Sequence, residues 1–395
     1  MNPYFPQQVF RRIKSNGTLP RVFISPQRYI QGPDVLSETG TYLGLLDARR
    51  VAVLISARGR DADGVILMAS LEKAGIEAET GIFGGECSLE EIERQVDRFR
   101  PNQVDCLLAV GGGKCVDAGK AIAWRLGLPV VVIPTLASND APCSALSVIY
   151  SPEGVSSGGE FYPASPAIVV VDTRIVADAS ERYLVAGMGD AMATWYEAHA
   201  CLRNPNAQTT IGARPTLASA AIGERCAVTL FEQGEAAAKS VARGEVSDAL
   251  EAVVEANTLL SGLGFESGGV AAAHALAQSY TGVDVVRENY LHGEMVAMGT
   301  ITQLMMESRQ QEAVKTAEFF ARIGLPINLA QVSLSPGDRA AIDTLVAGAL
   351  EFPFMANMPL KVDGALVRQA VLDADALGTE VAGRLGDDPW RRLRD

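Results

Sequence analysis

The sequence predicts an α/β domain built on a Rossmann-like parallel sheet, followed by an all-helical domain. Two observations carry this. Up to about residue 180, short β-branched apolar runs alternate with helix-periodic segments, the pattern of strands covered by helices on both faces. Beyond that point, alanine-rich stretches of helical periodicity follow one another without a convincing strand. A chain of 395 residues also exceeds what one hydrophobic core usually supports. The expected division is an extension over 1–20, an α/β domain over 21–180 and a helical domain over 181–395.

Val51–Ile55 reads as a buried strand and Asp61–Ala74 as a helix. Ile76–Phe83 is the next strand, and Ser88-Leu89-Glu90-Glu91 is a capping box opening a helix to about Arg98. Val104–Val110 is a strand, Gly111-Gly112-Gly113 a turn, and Lys114–Leu126 a helix. Pro129–Pro134 and Ala167–Asp172 complete the strands, with Ser151–Pro166 an excursion that forms a hairpin or loop. The helical half reads Ser180–Cys201, Pro215–Glu232, Glu235–Leu260, Gly269–Tyr280, Leu291–Arg309, Gln311–Ile323 and Val362–Leu377.

Composition narrows the function classes. A formal charge of −13 leaves no basic face for nucleic acid. A hydrophobic content of 48% with 21% charged residues argues against disorder. The six cysteines lack metal-ribbon or C-x-x-C spacing, and several sit in apolar segments, as reduced thiols of a cytoplasmic protein do. No apolar run approaches the ~20 residues of a membrane span, and the start of the chain lacks the apolar core of a secretory signal.

Three consecutive glycines between a buried strand and a helix place free backbone amides at a helix N-terminus, which favours phosphate. A sharp βα turn without a ligand fits the same residues. Histidine is scarce: only His199, His274 and His292 occur. Asp190 lies in the small-residue segment L-V-A-G-M-G-D, where a buried carboxylate needs a partner. One aspartate and two imidazoles make a three-ligand site for a divalent ion; by spacing alone, an isolated buried aspartate and two ordinary histidines fit as well. His199 follows Asp190 by nine positions, on the opposite helix face, and is not expected to share the ion.

Several blocks in order carry a resemblance. They are R-V-F-I-S-P-Q-R-Y-I-Q-G from Arg21, G-G-G-K-C-V-D-A-G-K from Gly111 and P-T-L-A-S-N-D-A-P-C-S-A-L-S-V-I-Y-S-P-E-G from Pro134. L-V-A-G-M-G-D from Leu184, E-A-N-T-L-L-S-G-L-G-F-E-S-G-G from Glu255 and H-G-E from His292 follow. The sequence thereby resembles the glycerol dehydrogenases of the iron-containing (group III, metal-dependent) alcohol dehydrogenase family. That family's fold is dehydroquinate synthase-like.

The resemblance implies that Asp190, His274 and His292 hold a catalytic Zn²⁺ or Fe²⁺, and that Gly111, Gly112 and Gly113 with Lys114 bind the pyrophosphate of NAD or NADP. It implies that Thr135, Ser144, Leu146 and Tyr150 line the nicotinamide side and that Asp140 faces substrate. It further implies a cytoplasmic homo-oligomer, by family an octamer, acting on a small polyol. A metal so held is a Lewis acid toward a substrate hydroxyl, and hydride passes from the adjacent carbon to the nicotinamide.

Two departures bear on specificity. Where the family carries an aspartate for the adenine ribose, this chain has Ala57 followed by Arg58 and Arg60, residues suited to a ribose 2′-phosphate. Surface arginines fit equally, and Asp61 is near enough to serve in the aspartate's place. Around the ligands, A-L-A-Q-S after His274 and R-E-N-Y-L before His292 alter the cleft wall. The alternatives are a dehydroquinate-synthase-like lyase, whose phosphorylated substrate needs basic residues that these segments scarcely offer, and a non-catalytic ligand-binding relative.

Overall fold

The structure is a computed structural model and describes residues 4–394. Its main sheet contains β1 (Tyr29–Gly32), β2 (Arg50–Ile55), β3 (Glu77–Ile82), β4 (Cys106–Gly111), β5 (Val130–Pro134) and β8 (Ile168–Asp172), in the order β1-β8-β5-β4-β2-β3. Every pairing is parallel. Alternate residues of one strand feed two cores: Leu107 and Ala109 of β4 pack on one side, and Cys106, Leu108 and Val110 on the other. Burial on both faces is why these strands read as continuous apolar runs rather than as alternation. The helices packing on the sheet are α1 (Asp63–Lys73), α2 (Leu89–Phe99) and α3 (Gly113–Leu126).

Strand β1 was not foreseen. It is an edge strand with every residue only partly buried, so it lacks the apolar run that marks its neighbours. The 151–166 excursion contains β7 (Ser156–Phe161), which pairs antiparallel with β6 (Leu146–Tyr150) in a separate two-stranded sheet. The expected helix Asp61–Ala74 is split at Ala62, leaving a short turn of helix over Ala57–Asp61 before α1.

The helical part comprises α4 (Glu181–Arg203), α5 (Leu217–Val241), α6 (Asp248–Glu255), α7 (Ser261–Gly268), α8 (Ala272–Tyr280), α9 (His292–Met306), α10 (Gln310–Ile323), α11 (Arg339–Glu351) and α12 (Gly364–Leu385). Two expectations are corrected here. Helix α5 runs on through 233–234 to Val241, and the break falls before Ser247, which caps α6 by accepting from the Leu250 amide. Helix α6 then passes through a π-helical turn, Ala256–Leu260, into α7. Helix α11, capped by Asp338, went unrecognised. Among the described residues, no helix is long and apolar enough to cross a membrane.

Candidate metal and cofactor site

Small residues let the ligand-bearing helices approach closely. A Cβ on Gly293 would collide with the Ala186 carbonyl, so glycine beside His292 is what allows α9 to start against the second turn of α4. Asp190 projects from α4, His274 from α8 and His292 from the first position of α9. Their ligand atoms all lie within 4.8 Å of one another. Asp190 Oδ1 stands 3.5 Å from His274 Nε2 and 3.4 Å from His292 Nε2. That oxygen is buried and has no hydrogen-bond partner.

An orphaned carboxylate oxygen is costly to bury, and its surroundings show what would satisfy it. Zn²⁺ binds nitrogen and oxygen at about 2.0–2.2 Å in a tetrahedral site, whose edges are then about 3.4 Å. The two observed separations match that edge. Burial by itself would raise the Asp190 carboxyl, but the two imidazoles overcome it and hold the group well below the ordinary carboxylate range. The donor set therefore fits a divalent ion.

Glu197, seven positions after Asp190 on α4, orients one ligand. Its Oε1 accepts the Ala271 amide at 2.7 Å and the His274 amide at 2.9 Å, while Oε2 lies 2.5 Å from His274 Nδ1. A carboxylate only accepts, so Nδ1 carries a proton, which leaves Nε2, on the Asp190 side, as the nitrogen that could bind an ion. Sequence reasoning missed Glu197, although a seven-residue step returns to the same helix face. Glu197→Gln is expected to weaken Zn²⁺ binding by about 10–100-fold, as loss of such outer-shell partners does; competition with a fluorescent chelator measures this. His199 lies elsewhere, with its ring 5.4 Å from that of Trp195 and its Nδ1 3.4 Å from Arg309 Nη1.

Asp140 reaches the same centre from the other half of the chain. Its amide donates to Asp190 Oδ2 at 3.2 Å, and its own Oδ2 is inaccessible and without a partner. The local turn does not need its side chain: Asn139 Oδ1, not Asp140, accepts from the Ala141 amide at 3.2 Å. Burial, with Asp190 nearby, pushes the Asp140 carboxyl up to about 7, against the opposing influence of the imidazoles and Lys120.

Buried polar groups hold the segment after Asp140. Lys120 on α3 donates to the Ala141 carbonyl at 2.9 Å and to Ser144 Oγ at 3.1 Å, and pairs with Asp117 at 2.9 Å. Glu266 on α7 accepts the Ala145 amide at 2.8 Å. Lys120, Asp117 and Glu266 were not foreseen; the signal available was charge within otherwise apolar helices. Burial pushes Glu266 up to about 8 from an ordinary 4.5. The native state thus keeps a proton that the unfolded chain has already released, so stability falls as pH rises from about 4.5 to about 8. Glu266→Gln is expected to flatten that fall, read as Tm against pH.

The glycine turn joins β4 to α3. Gly111 carries φ +156°, where a Cβ would lie 2.9 Å from the Cys115 Cβ, and a Cβ on Gly113 would strike Asn139 Nδ2. Gly112 is the extended residue capping α3 without a side-chain bond, so the first amides of the helix remain available for an anion. Thr135 donates its amide to the Gly111 carbonyl at 3.1 Å, which ties the turn to the end of β5. These residues fit a dinucleotide pyrophosphate. Lys114 is paired with Glu86 at 2.6 Å and lies 5.1 Å from the Tyr150 ring centroid. Ser144 is buried, and Leu146 and Tyr150 occupy the two ends of β6. Ala57 and Arg58 follow β2, which pairs with β4 in the register Ile55↔Val110 and so ends beside the glycines. Arg58 is exposed, whereas Arg60 pairs with Asp61 at 2.8 Å.

A parallel sheet with a glycine turn, joined to a helical bundle that gathers Asp, His and His, suits a metal-dependent enzyme that uses a dinucleotide. Comparison with known proteins agrees. The model of the iron-containing alcohol dehydrogenase family matches residues 26–173. A glycerol dehydrogenase of Escherichia coli is 43% identical over 367 residues, covering 91% of this chain and 97% of its own. A glycolaldehyde reductase of Halobacterium salinarum is 37% identical, covering 92% and 99%. The crystal structure of the Schizosaccharomyces pombe glycerol dehydrogenase superposes with a TM-score of 0.89 at 32% identity, covering 95% and 94%. The chain belongs to the iron-containing alcohol dehydrogenase family, on its glycerol dehydrogenase branch.

Proposed function

We propose that this protein oxidises glycerol, or a small polyol of the same vicinal-diol class, to the hydroxyketone, releasing a proton and passing hydride to NAD⁺ or NADP⁺. The observation that carries the reading is the orphaned Asp190 Oδ1, 3.4 and 3.5 Å from two imidazole nitrogens. When bound, the divalent ion polarises a hydroxyl oxygen and the nicotinamide takes up hydride. Asp190, His274 and His292 hold the ion, and Glu197 keeps the His274 lone pair directed at it. Asp140 accepts a hydrogen bond from a substrate hydroxyl and carries its proton away. The glycine turn and the opening amides of α3 bind the pyrophosphate. Lys120, fully engaged by Asp117, Ala141 and Ser144, is not free to bind a substrate phosphate. This favours an uncharged polyol over the phosphorylated substrate of a lyase.

At the ribose end, a carboxylate would repel a 2′-phosphate; Ala57 offers none, and the exposed Arg58 is available to pair with it. We therefore propose that NADP⁺ is accepted as well as NAD⁺. Initial rates with glycerol at matched NAD⁺ and NADP⁺, with a chelator and after Zn²⁺ or Fe²⁺ is returned, test both parts. Turnover abolished by chelator and restored by metal is expected; no turnover by metal-loaded protein with glycerol or other small diols would sink the reading. Arg58→Ala is expected to lower kcat/KM for NADP⁺ about tenfold, the worth of one charge-assisted bond, while leaving NAD⁺ within about twofold.

A further inference from the structure

Residues 386–394 supply no atom to the Asp190–His274–His292 cluster, yet two of their arginines grip the helices that carry it. Arg392 makes a two-pronged pair with Glu181, at 2.5 and 2.8 Å, on the first residue of α4. Arg394 Nη2 donates to Glu294 Oε1 at 2.7 Å, and Glu294 lies two residues after His292 in the first turn of α9. The same glutamate accepts the Leu291 amide at 2.8 Å and two bonds from Arg182 of α4, each 2.8 Å. The Arg394 guanidinium also sits 4.7 Å from the Trp390 ring centroid and 5.6 Å from that of Tyr290, two residues before His292. His292 is thus braced on both sides in sequence, by Tyr290 and by Glu294, from one arginine.

This matters because His292 is the ligand that burial holds least. Its side chain is 49% exposed, against 12% for His274 and 1% for Asp190. Where its imidazole lies depends on where α9 begins relative to α4. The Arg394–Glu294 contact is well sheltered, with the two side chains 15% and 2% exposed, so it is screened less by salt than a surface pair. A constellation of ligands loosened by even ~1 Å loses its preorganisation.

We propose that residues 386–394 form a positioning strap for the metal centre, in which Arg392 and Arg394 fix the start of α9 against the start of α4 and so set the affinity for the divalent ion. The inference rests on reading Asp190, His274 and His292 as that centre.

The test is equilibrium Zn²⁺ binding to chelator-stripped full-length protein, measured by competition with a fluorescent chelator, alongside the Tm of the stripped and Zn²⁺-loaded forms. Arg394→Met keeps an apolar stem against Trp390 and Tyr290 but removes the charge. It is expected to weaken Zn²⁺ binding by roughly tenfold, the low end for an outer-shell partner, and to shrink the rise in Tm on loading. Arg394→Lys, a point charge without the planar fork, should restore part of the loss. Arg322→Ala breaks a pair of comparable length, Arg322–Glu235 at 2.6 Å, in the same helical half and should leave affinity unchanged. Wild-type affinity in Arg394→Met, with binding lost in Asp190→Asn, would overturn the strap. So would an equal loss in Arg394→Met and Arg322→Ala, which marks general destabilisation. Wild-type affinity in Asp190→Asn would instead overturn the reading of the centre itself.

Discussion

Asp190→Asn is expected to abolish stoichiometric metal binding and to lower kcat/KM by about three orders of magnitude. The substitution keeps the shape of the side chain and an oxygen to accept the Asp140 amide, bonded at 3.2 Å in the native protein. What it removes is the only negative ligand of the cluster. A metal acting as Lewis acid is worth several kcal/mol of transition-state stabilisation, and each ~1.4 kcal/mol is tenfold in rate. The metal-free variant should be less stable than the metal-free native protein at neutral pH, because a carboxylate held low by two imidazoles contributes stability that neutralisation removes. The rise in Tm on adding Zn²⁺ should vanish. Metal content and steady-state rates on one preparation check both; full turnover in this variant would remove the metal-centred mechanism.

Asp140→Asn is expected to lower kcat by about 10²- to 10⁴-fold, the range over which a positioned proton carrier contributes, with metal content unchanged. The separation of the two readouts is what the geometry requires. Asp140 meets Asp190 through its backbone amide, which the substitution keeps, while its carboxyl makes no bond within the turn. Its Oδ2 has no partner within the protein, which leaves that oxygen's bonding capacity to a substrate that reaches it. Native kcat in Asp140→Asn would reduce Asp140 to a turn residue; loss of metal with it would make the residue part of the ion's support.

The parts of this protein that could be read in advance are those whose cause is local. Strands such as β4 and β5 are apolar throughout because both faces are buried, and helices such as α2 announce themselves by a cap: Ser88 accepts the Glu91 amide, although Glu91 accepts the Gly84 amide and does not complete the expected capping box. The turn Gly111–Gly113 was legible as three glycines between a strand and a helix, and Gly111 at least takes a positive φ that favours glycine. Edge strand β1 was not, since partial burial leaves no run to detect, and helix α11 and the break after Val241 escaped because alanine-rich sequence has no sharp period. Asp190, His274 and His292 stood out as scarce residue types in apolar segments, but their meeting did not follow from spacing and was anticipated only through family resemblance.

Local sequence thus determined a parallel sheet with a glycine turn at a helix N-terminus, a helical second half, and a short list of polar residues in apolar surroundings. Only the tertiary structure decided which of them touch. Glu197 became the partner of His274 across 77 positions, Lys120 of Ser144 across 24, and Arg394 of Glu294 across 100. Each of those contacts is set by how helices pack against one another. Packing depends on the shapes of many side chains at once, whereas periodicity and capping are written within one or two turns of chain.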